Sequence, residues 1–75
     1  MTSPGSTTVA FMLNGKHVEY PKELTVTQLL ADKSLKAQMV VVEINGAIVA
    51  RASFDEVVLR SGDEVEIVHF VGGGE

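Results

Sequence analysis

The stretch GDEVEIVHFVGGG, residues 62–74, is the most informative part of this chain, because a turn, an apolar strand and a glycine run follow one another without a break. The alternation of Val65 and Ile67 with Glu66 is typical of a β-strand with one buried face. The apolar content of the segment predicts that this strand lies inside a sheet. No helix pattern follows the glycines, so the run is not a dinucleotide-binding loop, which needs a helix N-terminus for the phosphates.

The glycine run Gly72, Gly73 and Gly74 has two interpretations. One is a low-complexity chain end. The other follows from the missing Cβ atoms, because such a backbone can enter a narrow channel in extended form and leaves its terminal carbonyl open to attack. Three extended residues span roughly 10 Å. On this second interpretation the tail carries a carboxylate into the active site of another protein.

Two Asn-Gly pairs, at positions 14–15 and 45–46, mark turns between β-rich segments. Both central residues of a two-residue type I′ turn need positive φ, which asparagine and glycine tolerate best. The pairs therefore predict two hairpins, which join residues 7–13 to 16–20 and residues 39–44 to 47–50.

A helix is predicted over residues 25–33. Thr25 and Gln28 have the spacing of a capping box, in which each side chain bonds to the backbone N–H of the other residue. Leu24 and Leu29 are spaced as a hydrophobic staple around the same helix start. The apolar positions that follow Thr25 fall on one helix face and comprise Val26, Leu29 and Leu30.

Downstream of the second hairpin, Ser53 and Glu56 match another capping box and predict one short helical turn, and residues 57–59 predict a short extended segment. The element order β-β-α-β-β-turn-β predicts an α+β roll, with a mixed sheet of about four or five strands packed on one helix. The strand order is left open. The 75 residues fit one domain, residues 1–75, with residues 1–6 expected to be disordered and residues 72–75 a flexible tail.

The composition excludes several classes of function. The chain has no Cys, which rules out disulfides, thiolate metal sites and a covalent thioester on this chain. The formal net charge is −4, concentrated in the C-terminal third, which argues against nucleic-acid binding and favours a partner with a basic surface. The sequence lacks a membrane-length apolar run and a signal-peptide pattern, so a cytoplasmic protein without a membrane partner is expected.

No enzyme site is predicted. The imidazoles, His17 and His69, fall on different strands. The acidic pairs 55–56 and 63–64 consist of adjacent residues, which on an extended chain point to opposite faces and form poor carboxylate dyads. The known nucleophile, metal and phosphate motifs are missing. We therefore expect no catalytic residue, metal site or cofactor in this chain.

The element order together with the glycine end resembles the ubiquitin-like β-grasp sulfur carriers, and within that family the ThiS-like carriers. The resemblance covers about residues 9–74, and the GDEVEIV strand that leads into the glycines is its most specific part. The related molybdopterin carriers usually have prolines just before a Gly-Gly end, and this chain has none there. The segments that carry the resemblance are LNGK (13–16), TVTQLL (25–30), VVEING (41–46), GDEVEIV (62–68) and HFVGGG (69–74).

The resemblance implies a mechanism that involves several partners. A ubiquitin-activating-like enzyme uses ATP to adenylate the carboxylate of the terminal glycine. A sulfur donor then converts the acyl adenylate to a thiocarboxylate, and a thiazole synthase takes the sulfur for thiamine biosynthesis. The resemblance thus implies that Gly72, Gly73 and Gly74 enter the partner's active site and that Gly74 is the reacting residue.

One departure from the family concerns Glu75, because carriers of this kind end in glycine. Three explanations stay open: a protease trims Glu75, Glu75 is foreign to the natural chain, or the chain is inactive as a carrier. Three other functions also stay open. These are a sulfur carrier for molybdopterin or cysteine synthesis, a β-grasp interaction module without tail chemistry and, least supported, a small enzyme.

Strand alternation predicts where a partner would bind. If Glu43 and Glu66 face water, their strands bury Val40, Val42, Ile44, Val65 and Ile67 and expose Val41, Val68 and Phe70. Exposed apolar patches with a charged rim often mark interfaces. Met12 is predicted to join this patch from the first strand. The alternative is that Phe70 folds back over an edge of the core.

Overall fold

The computed structural model describes residues 8–70. The predictions of a disordered N-terminus and a flexible glycine tail lie outside these residues. Five strands and one α-helix follow the predicted order, with short 3-10 turns at Ala37–Met39 and Arg51–Ser53. The elements are β1 (Val9–Leu13), β2 (Lys16–Tyr20), α1 (Val26–Asp32), β3 (Val40–Ile44), β4 (Ala47–Ile48) and β5 (Glu64–His69).

The strands form one mixed sheet in the order β2-β1-β5-β3-β4. β5 is the central strand, parallel to β1 and antiparallel to β3, and β3 also lies inside the sheet. The predicted α+β roll is therefore confirmed, and the strand order that the sequence left open is fixed by the parallel contact between the first and last strands. This contact places the last strand, which leads into the glycines, in the middle of the sheet, with β1 on one side and β3 on the other.

Both predicted hairpin turns are present. Asn14 and Gly15 have φ of 50° and 82°, and Asn45 and Gly46 have φ of 54° and 87°. These positive angles at both central positions are those that a type I′ turn requires. In each hairpin, the two-residue turn sets the pairing of the flanking strands. Leu13 therefore pairs with Lys16 in the first hairpin, and residue 44 pairs with residue 47 in the second.

The predicted capping box starts α1. The Gln28 N–H donates to Oγ1 of Thr25 at 3.1 Å, and the Thr25 N–H donates to Oε1 of Gln28 at 2.8 Å. Leu24 and Leu29 are both buried in the same apolar cluster, as the staple predicts. The helix lies on one face of the sheet and buries the side chains of Val26, Leu29 and Leu30 against it.

One continuous core fills the space between α1 and the sheet. Its buried members are all hydrophobic, and no buried polar side chain occurs among residues 8–70. Because the core lacks polar atoms, stability depends on apolar burial and packing. The members of the core are Val9, Phe11, Leu24, Val26, Leu29, Leu30, Val40, Val42, Phe54, Leu59, Val65 and Ile67.

The segment after β4 differs from the second predicted capping box. The predicted helical turn is present, since the N–H groups of Glu56 and Val57 donate to the Ser53 carbonyl oxygen at 2.9 and 3.0 Å. A 3-10 turn that begins at Arg51 precedes it, so Ser53 lies inside the helical segment rather than at its start. The Arg51 side chain donates to the carbonyl oxygens of Ala37 and Val40 at 2.8 and 3.2 Å, which draws the turn toward the start of β3. The predicted extended segment is present as a single bridge between Val58 and Thr25. Within residues 8–70, no helix has the length and apolar character to cross a membrane.

Candidate functional site

β5 is both the central strand of the sheet and the last element before the C-terminal residues. The Phe70 N–H, just past the strand, donates to the carbonyl oxygen of Met39, the residue before β3, at 2.8 Å, so the backbone is held as far as Phe70. The predicted tail residues Gly72, Gly73 and Gly74 and the following Glu75 lie outside the described residues. The described part of the site is therefore the surface beside the point where the tail departs.

The predicted facing of the two partner strands is confirmed. Val65 and Ile67 of β5 are buried, whereas Val68 is 57% exposed and Phe70, just past the strand, is 45% exposed. Phe70 therefore does not fold back to become a core residue. On β3, Val40 and Val42 are buried, and Ile44 packs against the core but is only half-buried. Val41 is half-buried and lies directly opposite Val68 on β3, so these side chains share the sheet face that lies away from α1.

The apolar surface around Val68 differs from the predicted one at two positions, because it lacks Met12 and includes Ile48. Met12 lies on the same sheet face, but it pairs with Glu64, six residues and roughly 20 Å of strand away from Phe70. The structure thus does not bring Met12 together with the other three side chains. Ile48 was not predicted, yet it is 71% exposed and lines a surface cavity with Val41. We use the term outer patch for Val41, Ile48, Val68 and Phe70.

The outward facing of Ile48 could have been predicted from the pairing in the second hairpin. Its type I′ turn places residue 47 opposite residue 44, which puts Ile48 opposite Glu43. Directly opposite residues share a sheet face, so a water-facing Glu43 implies an outward-facing Ile48. The signal was missed because β4 contains only two residues, Ala47 and Ile48, which is too short to show an alternation of its own.

An acidic group borders the outer patch. Glu43 and Glu66 are direct cross-strand partners, and both line a surface cavity with Glu64 and Gly46. Like charges directly opposite on neighbouring strands repel each other. A basic partner surface would relieve this repulsion, as expected from the acidic C-terminal third.

The titratable side chains of residues 8–70 are spread over separate strands and turns. His17 lies on β2 and His69 on β5, as predicted, and no group of three or more potential metal ligands occurs within residues 8–70. Burial raises the pKa of Tyr20 to about 12, and the hydrogen bond and charge of Asp32 act in the same direction. The Tyr20 hydroxyl stays protonated at neutral pH and donates to Asp32 at 2.9 Å, which is a structural role.

The two turn asparagines attach both hairpins to β5. Past the end of β1, the Ile67 N–H donates to Oδ1 of Asn14 at 2.8 Å, and Nδ2 of Asn14 donates to the Ile67 carbonyl oxygen at 3.2 Å. From the other hairpin, Oδ1 of Asn45 accepts the Glu64 N–H at 2.9 Å, and Nδ2 of Asn45 donates to Asp63 at 3.0 Å. Asn45 thus holds the start of β5, whereas Asn14 holds the half that leads to the tail.

Comparisons with known proteins agree on one family. The model of the ThiS family matches residues 8–74. The sulfur carrier protein ThiS of Bacillus subtilis is 46% identical over 83% of this chain and 96% of its own length. A thiazole synthase of Paramagnetospirillum magneticum is 36% identical over 84% of this chain, but the match spans only 19% of that enzyme.

Solved structures give the same result for the fold. The crystal structure of the thiamine biosynthesis protein ThiS from Geobacter metallireducens superposes with a TM-score of 0.75 at 36% sequence identity. The match covers 88% of this chain and all of that one. The roll predicted from the element order is therefore also the fold of a protein from that family.

Proposed function

This chain belongs to the ThiS family, and we propose that it carries sulfur as a thiocarboxylate on a C-terminal glycine for thiazole formation in thiamine biosynthesis. The observation that carries the proposal is the 46% identity to a sulfur carrier over 96% of that protein's length. The thiazole synthase that contains a segment similar to this chain supports the choice of pathway. Neither the match nor the fold favours a carrier for molybdopterin or cysteine synthesis.

The chemistry assigned to the tail follows from the reactivity of carboxylates. A carboxylate is a poor electrophile until one of its oxygens becomes part of a good leaving group. In the proposed cycle, the Gly74 carboxylate attacks the α-phosphorus of ATP and displaces pyrophosphate. A sulfur nucleophile then attacks the acyl carbon, and AMP leaves. ATP binds the partner enzyme in this scheme, so the carrier itself holds no cofactor.

The glycines suit this role because the reacting carbon belongs to the backbone. The lack of Cβ atoms lets an extended tail pass through a narrow channel. We propose that Gly72 and Gly73 occupy such a channel and that Gly74 reacts after a protease has removed Glu75. The other partners are an adenylating enzyme, a sulfur donor and a thiazole synthase. An ATP-dependent cycle of this kind fits the expected cytoplasmic location.

We propose the outer patch as the docking surface for the adenylating enzyme. Its members lie on the sheet face away from α1, and three of the four are about half exposed or more, with Ile48 at 71%, Val68 at 57% and Phe70 at 45%. Apolar surface rimmed by charge is typical of protein interfaces. The opposed Glu43 and Glu66 predict basic side chains on the partner beside an apolar pocket.

The function is tested by the mass of the reacted carrier. We expect the chain ending at Gly74, incubated with the adenylating enzyme of its host, ATP and inorganic sulfide, to gain the mass difference between sulfur and oxygen. Intact-mass spectrometry measures the gain, and fragmentation assigns it to Gly74. A reaction without ATP is the control and should leave the mass unchanged. A chain that stays unmodified with the active partner would contradict the carrier function and favour a plain interaction module.

The docking surface is tested by Val68→Asp. The substitution places a charge in the outer patch and should raise the dissociation constant for the adenylating enzyme by roughly ten-fold or more. The fold should be retained, because Val68 is 57% exposed. Phe70→Ala should act in the same direction. Calorimetric titration measures binding, and thermal denaturation reports the fold.

Ala31→Asp is the matched control for this experiment. It adds the same charge at an exposed position of α1, which packs on the opposite face of the sheet. This control should bind like the unaltered chain. If Val68→Asp unfolds the domain, or if both variants bind equally well, the outer patch is not the docking surface.

A further inference from the structure

The side chain of Asn14 takes the place of a strand residue beside β5. β1 pairs with β5 only at Met12–Glu64 and Leu13–Val65, because the chain turns away into β2 at Asn14. The backbone N–H of Asn14 still donates to the Val65 carbonyl oxygen at 2.8 Å. Its side-chain amide then satisfies both the N–H and the C=O of Ile67. The parallel ladder is thus extended by an amide that belongs to a side chain.

This extension lies on the path to the tail. Ile67 precedes Gly72 by five residues in the sequence. On its other side, the chain is held by β3 as far as His69 and by the residue before β3 at Phe70, whose N–H donates to the Met39 carbonyl oxygen. The end of β5 is therefore fixed from both sides only while the amide of Asn14 is in place.

We infer that Asn14 is a positioning residue for the adenylation reaction, because it sets the direction in which the glycine tail leaves the sheet. This inference rests on the proposed function. A tail that leaves in a fixed direction reaches the partner's active site once the outer patch has docked. Without Asn14, docking is unchanged, but Ile67 loses its contact with the end of β1, the direction of the chain at Phe70 is less well defined, and the terminal carboxylate reacts less often in each encounter.

Asn45 provides a matched control within the same chain. It occupies the same position of the same turn type, with φ of 54° against 50° for Asn14. Its side chain also bonds to β5, but at Glu64 and the preceding Asp63, at the end remote from the tail. Glycine adopts the positive φ at both sites without strain. Asn14→Gly and Asn45→Gly therefore each remove two side-chain hydrogen bonds and leave both turns intact.

The kinetic test measures ATP–pyrophosphate exchange by the adenylating enzyme with chains that end at Gly74. We expect Asn14→Gly to lower kcat by ten- to a hundred-fold, since a misplacement of about 1 Å costs roughly a hundred-fold. KM should change by less than about two-fold, because the docking surface is intact. Asn45→Gly should keep both constants. An unchanged kcat for Asn14→Gly, or an equal loss for Asn45→Gly, would overturn the inference.

A second measurement needs no partner. In the free protein, amide hydrogen exchange at Ile67 should accelerate by roughly five- to ten-fold in Asn14→Gly, as expected for the loss of one hydrogen bond. The rate is compared at equal global stability, measured by denaturant unfolding. Asn45→Gly should leave it unchanged. Retained protection at Ile67 would overturn the positioning role. Failure of the unaltered chain ending at Gly74 to react would overturn the proposed function and, with it, the role of Asn14 in adenylation, whereas the exchange rate at Ile67 tests the hold of Asn14 on β5 separately.

Discussion

Replacing Leu29 by alanine is expected to lower the free energy of unfolding by about 2–5 kcal/mol. Leu29 is fully buried between α1 and the sheet, so the substitution removes apolar contacts and leaves a cavity that the neighbours fill only in part. A domain of this size has a total stability of roughly 5–10 kcal/mol. The loss is thus a large fraction of the total, and a shift of the denaturant midpoint measures it.

Lys33→Ala is the control for this experiment. Lys33 is exposed at the end of the same helix, and surface substitutions usually stay within about 0.5 kcal/mol. The pair compares the same replacement at a buried and at an exposed site, so a larger loss for Leu29→Ala reports core packing. A midpoint for Leu29→Ala that matches the control would mean that the helix buries another face.

Activation of the tail is expected to depend fully on the residue that carries the terminal carboxylate. A chain ending at Gly74 should be adenylated by the cognate enzyme with ATP, whereas the chain ending at Glu75 should be inert until trimmed. The reason is steric and electrostatic, because a charged side chain at the last position does not fit a channel shaped for glycine. Trapping of the acyl adenylate, followed by mass spectrometry, identifies the residue that has reacted.

A substitution inside the tail tests the same channel. Gly73→Val in the chain ending at Gly74 should block adenylation, because a β-branched side chain widens the tail. The denaturant midpoint should not move, since the core consists of side chains between Val9 and Ile67. Efficient adenylation of the untrimmed chain, with the adenylate mapped to Glu75, would contradict the prediction.

The local elements could be predicted because each depends on residues a few positions apart. The φ values of Asn14 and Asn45 confirm the turn chemistry, and the two hydrogen bonds between Thr25 and Gln28 confirm the cap. The facing of Val68 and Phe70 followed from the alternation of side chains along a strand. These signals are short in range, so one sequence contains them in full.

The composition of the outer patch was predicted only in part, for a geometrical reason. Alternation assigns a side chain to a face of the sheet, but not to a position along the neighbouring strand. Met12 has the predicted face, yet the parallel register with β5 places it beside Glu64, far from Phe70. Ile48 reaches the patch through its pairing opposite Glu43.

Local residue patterns were therefore enough to predict the elements, their order, the capped helix and the family to which the chain belongs. Only the tertiary structure decided that β1 and β5 lie side by side and that Asn14 completes the ladder at Ile67, across 53 positions of sequence. Such contacts depend on how the helix and both hairpins pack around one core, because closing a long loop is favourable only when the buried surface compensates for the lost chain entropy. The positive φ of the turn is already a sufficient reason for an asparagine at position 14. The hydrogen bonds of its side chain to Ile67 can therefore be recognised only in the fold, which brings β5 beside the turn.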